Sequence, residues 1–235
     1  MRLQKTGVWI AAAGLVLAFA ACEEERATQT ESRTVDAGGA TGAEVSLHMG
    51  AGELRLSGGA AALMEGRFTT NIRRWMPSVD YSVSGGRGRL AIRQKRGRSL
   101  FFGHRRNDWD IKLNDAMPID LRVSLGAGES RLDLRGLNVG SLSVRMGVGE
   151  ARLDLSGERA RDLEVTIEGG VGSGRIILPR TIGVRARIEG GIGSIDAHGL
   201  TRDGHVYTNA AYGKSPVTLN LTIDAGIGSI DLRTE

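Results

Sequence analysis

One cysteine, four prolines and 4% aromatic residues are unusually little for a chain of 235 residues. A lone cysteine excludes an intramolecular disulfide, so a domain exported from the cell has to be held by its core alone. The low aromatic content fits rows of Leu, Ile and Val in a regular fold better than it fits an enzyme with a large buried pocket. The four histidines, His48, His104, His198 and His205, show no metal-ligand spacing with one another or with Cys22. No Gly-x-Ser-x-Gly nucleophile elbow occurs. Beyond the first twenty residues no apolar run reaches the roughly 20 residues that a membrane-spanning helix needs.

Glycine, at 35 residues, is what the chain has in plenty. Leu125-Gly126-Ala127-Gly128-Glu129-Ser130-Arg131-Leu132-Asp133-Leu134 is restated as Met146-Gly147-Val148-Gly149-Glu150-Ala151-Arg152-Leu153-Asp154-Leu155. The phrase opens earlier as Met49-Gly50-Ala51-Gly52-Glu53 and returns, with Ser for Glu, at Gly170–Ser173, Gly191–Ser194 and Gly226–Ser229. The second glycines at 128, 149, 172 and 193 are 21, 23 and 21 residues apart. A period in this range is the mark of a fold in which each unit stacks on the last. Within a unit, Leu121, Val123 and Leu125 alternate with Arg122 and Ser124, which reads as strand. Each unit is therefore strand, Gly-x-Gly bend, strand: one coil of an all-β solenoid, or one hairpin of a meander. A single domain is expected over 43–235, essentially without helix, with excursions from the repeat near 67–118 and 199–216. A degenerate bend is expected at Gly86-Arg87-Gly88.

The N-terminus has a cationic head, Met1-Arg2-Leu3-Gln4-Lys5, then an apolar run from Val8 to Ala20 of secretory length, ending in small residues. Residues 1–21 read as a signal peptide. The segment Phe19-Ala20-Ala21-Cys22 resembles the lipobox of bacterial lipoproteins, although Leu is usual where Phe19 stands. The resemblance implies that Cys22 is lipidated and becomes the mature N-terminus; the alternative is an ordinary cleaved signal with an incidental cysteine. Glu23 rather than Asp follows it, which by resemblance to Gram-negative lipoproteins implies an outer-membrane anchor. The polar stretch 22–42 has the composition of a disordered tether.

The basic surplus is local. Twelve Arg or Lys lie between Arg67 and Lys112, against Asp80, Asp108 and Asp110. At its centre Arg93, Lys95, Arg96, Arg98, Phe101, Phe102, Arg105 and Arg106 place two phenylalanines between two basic clusters, as at a hairpin tip. A solvated loop with its rings tucked under the coil would produce this pattern. So would a contact site for an anionic partner (lipid headgroups, an envelope polymer or an envelope protein), with aromatic rings docking while the cations attract phosphate. An envelope location speaks against nucleic acid.

Other chemistry is not supported. Gly213-Lys214-Ser215 lacks the earlier glycine of a phosphate loop, since Thr208 stands there. In Gly190-Gly191-Ile192-Gly193-Ser194-Ile195-Asp196 the aspartate comes one residue late for the calcium nonapeptide, which turns it to the opposite face of a strand. Glu129, Arg131 and Asp133 should stack beside Glu150, Arg152 and Asp154 as a charge ladder on the solvent face, worth a few tenths of a kcal/mol per pair. No catalytic residues, cofactor or metal are expected.

Gly50-Ala51-Gly52-Glu53-Leu54-Arg55-Leu56, Val123–Glu129, Asn107-Asp108-Trp109-Asp110-Ile111, Gly190–Gly193 and Tyr212-Gly213-Lys214-Ser215-Pro216, in that combination, resemble the toast-rack family, related to the C-terminal domain of LiaF-type cell-wall-antibiotic response proteins. The resemblance runs from about Val45 onward. It implies a non-enzymatic, solenoid-like envelope module with no catalytic residues. LiaF-type proteins act in envelope-stress signalling and carry transmembrane helices before the domain, which this chain lacks after its signal. The competing readings are a binding or sensing module of the envelope, a structural or adhesin-like surface protein and, third, a polysaccharide-acting β-helix enzyme. A lyase would need basic and acidic residues clustered along one groove; here the basic residues sit in an excursion.

Overall fold

A computed structural model describes residues 27–95 and 105–235. Its strands are β1 (Gln29–Val35), β2 (Gly42–Ser57), β3 (Met64–Thr70), β4 (Pro77–Ser84), β5 (Arg87–Gln94), β6 (Asn107–Leu113), β7 (Ile119–Asp133), β8 (Val139–Asp154), β9 (Leu163–Leu178), β10 (Gly183–His198), β11 (Thr201–Asp203), β12 (Val206–Thr208) and β13 (Thr218–Thr234). Among the described residues the one helical element is a 3-10 turn over Arg73–Trp75.

Each repeat folds as one long strand broken by its glycine bend. In β7 the buried residues are Ile119, Leu121, Val123 and Leu125 before the bend, and Ser130 and Leu132 after it. The inward positions change from odd to even, so the bend turns the apolar faces of the two arms toward each other. Successive coils stack in parallel register: Leu121 on Leu142 on Val165, and Leu132 on Leu153 on Ile176. This is a solenoid and not a meander. The inward rows merge into one core that runs from Ala43 to Leu232.

The bends stack as closely as backbone allows. A Cβ on Gly149, whose φ is +139°, would lie 1.8 Å from the carbonyl oxygen of Gly128. Glycine is required there for both conformation and approach.

Sequence order and stacking order agree from β7 to β9 and then part. The last strand, β13, lies between β9 and β10 and pairs with both in parallel. A crossover returns the chain over β10 to that slot, secured by buried Asn209, whose amide donates to the carbonyls of Pro179 and Ile182 and whose Oδ1 accepts from Val184 N–H.

Three sequence expectations are corrected. Gly85 and Gly86, both at positive φ, turn the antiparallel β4–β5 hairpin, so Gly86-Arg87-Gly88 is not a stacked bend. Gln29–Val35 is an edge strand antiparallel to β3, which removes those residues from the expected tether; alternating Thr30, Ser32 and Thr34 pair as readily as apolar residues where a neighbour offers a free edge. The strands that flank the basic-aromatic stretch are not the two arms of a hairpin, because β5 and β6 do not pair with each other. Both pair with β2, β5 along its first arm and β6 along its second.

Candidate functional site

Together β5 and β6 extend the stack beyond β2, β5 beside its first arm and β6 beside its second. Two side-chain amides hold the ends of β5 and β6 to the bend of β2. The Gln94 Oε1 accepts from Gly50 N–H (2.7 Å) and Ala51 N–H (3.3 Å), while Asn107 Nδ2 donates to Ala51 O (2.6 Å) and to Gln94 Oε1 (3.1 Å). Asn107 is itself held by the Trp109 indole, which donates to its Oδ1 at 3.1 Å. Trp109 packs edge-on against Phe68, at 5.6 Å between ring centroids. The Asn-x-Trp motif thus pins both ends of the basic-aromatic segment to the long edge formed by the bends.

Of the residues expected to contact an anionic partner, Arg93, Lys95, Arg105 and Arg106 are exposed at this corner. Arg96, Arg98, Phe101 and Phe102 lie outside the described residues, as do Cys22 and the expected signal peptide. Arg106 donates to Asp108 at 2.6 Å, and Arg93 lies 3.8 Å from Asp80. Burial, and secondarily Arg93, hold the His48 pKa below its ordinary value.

The structure adds residues that one-dimensional reading missed. The 3-10 turn carries the chain from the bend end of β3 to the bend end of β4, and so delivers exposed Arg73 and Arg74 to the same corner. Gln29 pairs with Thr70, which pairs with Asn107, so the chain also enters the domain at this edge. Along the edge the central residues of the bends stack in register: Ala51, Ala127, Val148, Val171 and Ile227. Three of them are large and exposed: Val148 at 55%, Val171 at 49% and Ile227 at 55%. The signal for this ridge was present in the sequence as Gly-Val-Gly and Gly-Ile-Gly, where a turn at the surface favours polar residues.

Behind the ridge the inward residues shrink from Met146 and Ala151 to Gly169 and Gly174, leaving an apolar cavity of about 70 Å³ between the arms. That is far below the roughly 300 Å³ at which small-molecule sites begin.

On the outer faces Glu129, Arg131 and Asp133 stand in register beside Glu150, Arg152 and Asp154, but among the described residues the expected charge pairs between those two coils do not form and the ion pairs are others. Arg131 bridges Glu53 (2.5 Å) and Glu129 (3.0 Å), Arg145 grips Glu168 with two hydrogen bonds (2.8 and 3.0 Å), and Asp231 lies between Arg175 and Arg233. The hydrogen bond from Arg145 holds the Glu168 carboxyl below its usual pKa, Arg233 and then Arg175 do the same for Asp231, and Arg135 does so for Asp133. Among the described residues no group of three or more His, Cys, Asp or Glu could hold a metal ion, and no helix is long and apolar enough to cross a membrane.

Fold and edge together define the class: a two-armed parallel β-solenoid with stacked glycine bends. The chain belongs to the toast-rack family. The model of that family's N-terminal domain (N-terminal domain of toast_rack, DUF2154) matches residues 24–177. The crystal structure of a candidate cell adhesion protein from Clostridium sporogenes is 36% identical, with a TM-score of 0.86, over 89% of this chain and 100% of that one. Candidate adhesins from Bacteroides fragilis and Parabacteroides distasonis are 15% and 13% identical over 88% and 87% of this chain and 97% of each of theirs, both with TM-scores of 0.29, too distant to carry an argument. No curated protein matches.

Proposed function

We propose that this protein is a non-enzymatic, adhesin-like binding module exposed at the cell envelope, anchored by lipid on Cys22, that rests its bend edge on an anionic membrane surface. One observation carries the reading: the chain's entry at Gln29, the basic corner and the apolar ridge all lie on one edge. From Cys22 to Gln29 is seven residue steps, at most about 25 Å of chain. A lipid on Cys22 therefore keeps this edge, and not the opposite one, next to the bilayer. There Arg73, Arg74, Arg93, Lys95, Arg105 and Arg106 face headgroups, each cation adding about 1 kcal/mol near an anionic surface. Val148, Val171 and Ile227 bury their exposed side chains in the interface. The outward faces remain free for a partner, consistent with the adhesion role for which the Clostridium sporogenes protein is named.

The test is cosedimentation of the full chain and of its Cys22→Ser variant with anionic and neutral vesicles. Cys22→Ser should lose stable membrane retention yet keep a salt-dependent preference for anionic vesicles. Neutralising Arg73, Arg74, Arg93 and Lys95 should flatten that salt dependence, whereas Val148, Val171 and Ile227→Ser should weaken binding at every salt concentration. Full retention of Cys22→Ser would remove the lipid anchor from the reading. Equal binding to neutral and anionic vesicles would remove the membrane-facing edge, and binding only to an acidic polymer would reassign the partner.

A further inference from the structure

The four open edges of the sheet are not treated alike. On β1 the inward positions hold Glu31 and Arg33, paired with each other, and inward charge on an edge strand discourages further pairing. The edge strand β4 begins with Pro77, and β11 is three residues long. The second arm of β10 has no such device. On its outer side β10 pairs with β12 only over Arg185–Arg187, and Ile188 N–H reaches His205 O; beyond that no described strand covers it. From Gly193 to His198 every second residue therefore presents its N–H and C=O outward. The run holds no proline and no lysine. Its inward-facing Ile195 is 40% exposed.

Above this bare edge the other layer overhangs. In the first arm, β12 and β11 extend the sheet two strands past β10, roughly 10 Å at the usual strand spacing. Tyr207, and Arg202 stacked 5.6 Å from its ring, share the inward face of that overhang. The result is a slot one to two strands wide along the bare Gly193–His198 edge, with exposed Ile195 on its inner side and Tyr207 buried behind it.

We infer that this slot receives an extended segment of another polypeptide, which adds as a strand to the Gly193–His198 edge. A second copy of this protein fits poorly. Pairing two β10 edges about a two-fold axis would drive each copy's two-strand overhang into the other's. Head-to-tail stacking of β1 on β10 would bring β4 of one copy into the place held by β11 of the next, because at that end the second arm is longer by only one strand. A single strand meets neither obstacle. Its inward positions would be apolar, to lie against Ile195. An outward position would be basic, because exposed Asp196 stands in register with Asp231, which already engages Arg175 and Arg233. Backbone pairing supplies affinity in such an addition and the alternating side chains supply selectivity. The site is separate from the bend-edge cations and does not depend on the membrane reading.

The probe is a display library of eight-residue peptides, selected on the full chain in detergent, followed by anisotropy titration of the enriched peptides and hydrogen exchange of the complex. Enriched peptides should alternate apolar with polar or basic residues and should slow exchange at residues 193–198. Ile195→Lys should weaken them by about tenfold or more, because an ammonium would be buried unpaired in the seam. Val83→Lys on the blunted β4 edge should leave affinity within about twofold, as a solvent-facing change at a distant site does. Asp196→Lys, which leaves the inner face intact, should weaken basic peptides selectively. Absence of any enriched peptide, or protection that maps elsewhere, would overturn the inference. Concentration-dependent dimers protected at residues 193–198 would overturn it in favour of a second copy.

Discussion

Replacing Gly149 by Ala tests the stacked bend at its tightest point. The new Cβ would stand 1.8 Å from Gly128 O and 2.9 Å from Gly128 C, on a backbone with φ of +139°. An L-residue held at such a φ costs about 1–3 kcal/mol. The overlap adds to this, because the two bends must part by more than an ångström, which weakens about two ladder hydrogen bonds worth roughly 1 kcal/mol each. The expected loss is about 3–5 kcal/mol, or roughly 6–20 °C in melting temperature for a domain of this size. Ser130→Ala, on the neighbouring coil in register with Ala151, is the control. Its Oγ is buried without a hydrogen-bond partner, so removing it should be neutral or stabilising by up to about 1 kcal/mol. Both variants are melted by circular dichroism beside the parent protein. If Gly149→Ala melts with Ser130→Ala, the bends do not stack as described and the solenoid register is wrong.

Further expectations rest on single contacts. Asn107→Ala leaves the Trp109 indole N–H buried without its acceptor and unpins Ala51, so stability should fall by about 1–3 kcal/mol, measurable by urea titration. The Glu168 and Asp231 carboxyls are held below their ordinary pKa values by their arginine partners. Their contribution is therefore complete above the unfolded carboxylate range and is lost as pH falls below about 4 toward the folded values. Melting temperature should decline through that window, and Arg145→Met should show a shallower acid decline than the parent; an unchanged slope would mean that the pair is not coupled. His48 has the opposite charge type: protonation is disfavoured in the fold, so its contribution is complete above about 6.5 and falls as pH drops through that value. His48→Gln should flatten the melting profile below about pH 6.5, the unfolded value.

The features legible in the sequence are those that neighbours along the chain enforce. Alternation of Leu121, Val123 and Leu125 with polar residues fixes which side of a strand is buried, whatever it pairs with. The recurrence of Gly-x-Gly fixes where each strand turns, since the close approach tolerates no Cβ. The basic cluster around Arg93–Arg106 was legible too, as composition. What the chain could not show is which strand lies beside which. The coils of β10 and β13 carry equivalent apolar rows, Val184, Ala186 and Ile188 against Leu219, Leu221 and Ile223, so either could follow β9 on the strength of its side chains. The choice is made by backbone pairing and by the Asn209 crossover, contacts between residues that lie far apart in sequence. The same holds for the two edges that matter most. Gln29, Arg73, Arg74 and Asn107 meet at the bend only because β3 and β6 pair antiparallel, and the slot beside Ile195 exists only because β13 inserts between β9 and β10 and does not cover the outer side of β10. Local periodicity determined the coil; long-range hydrogen bonding decided the stacking order, and with it which edges were left open.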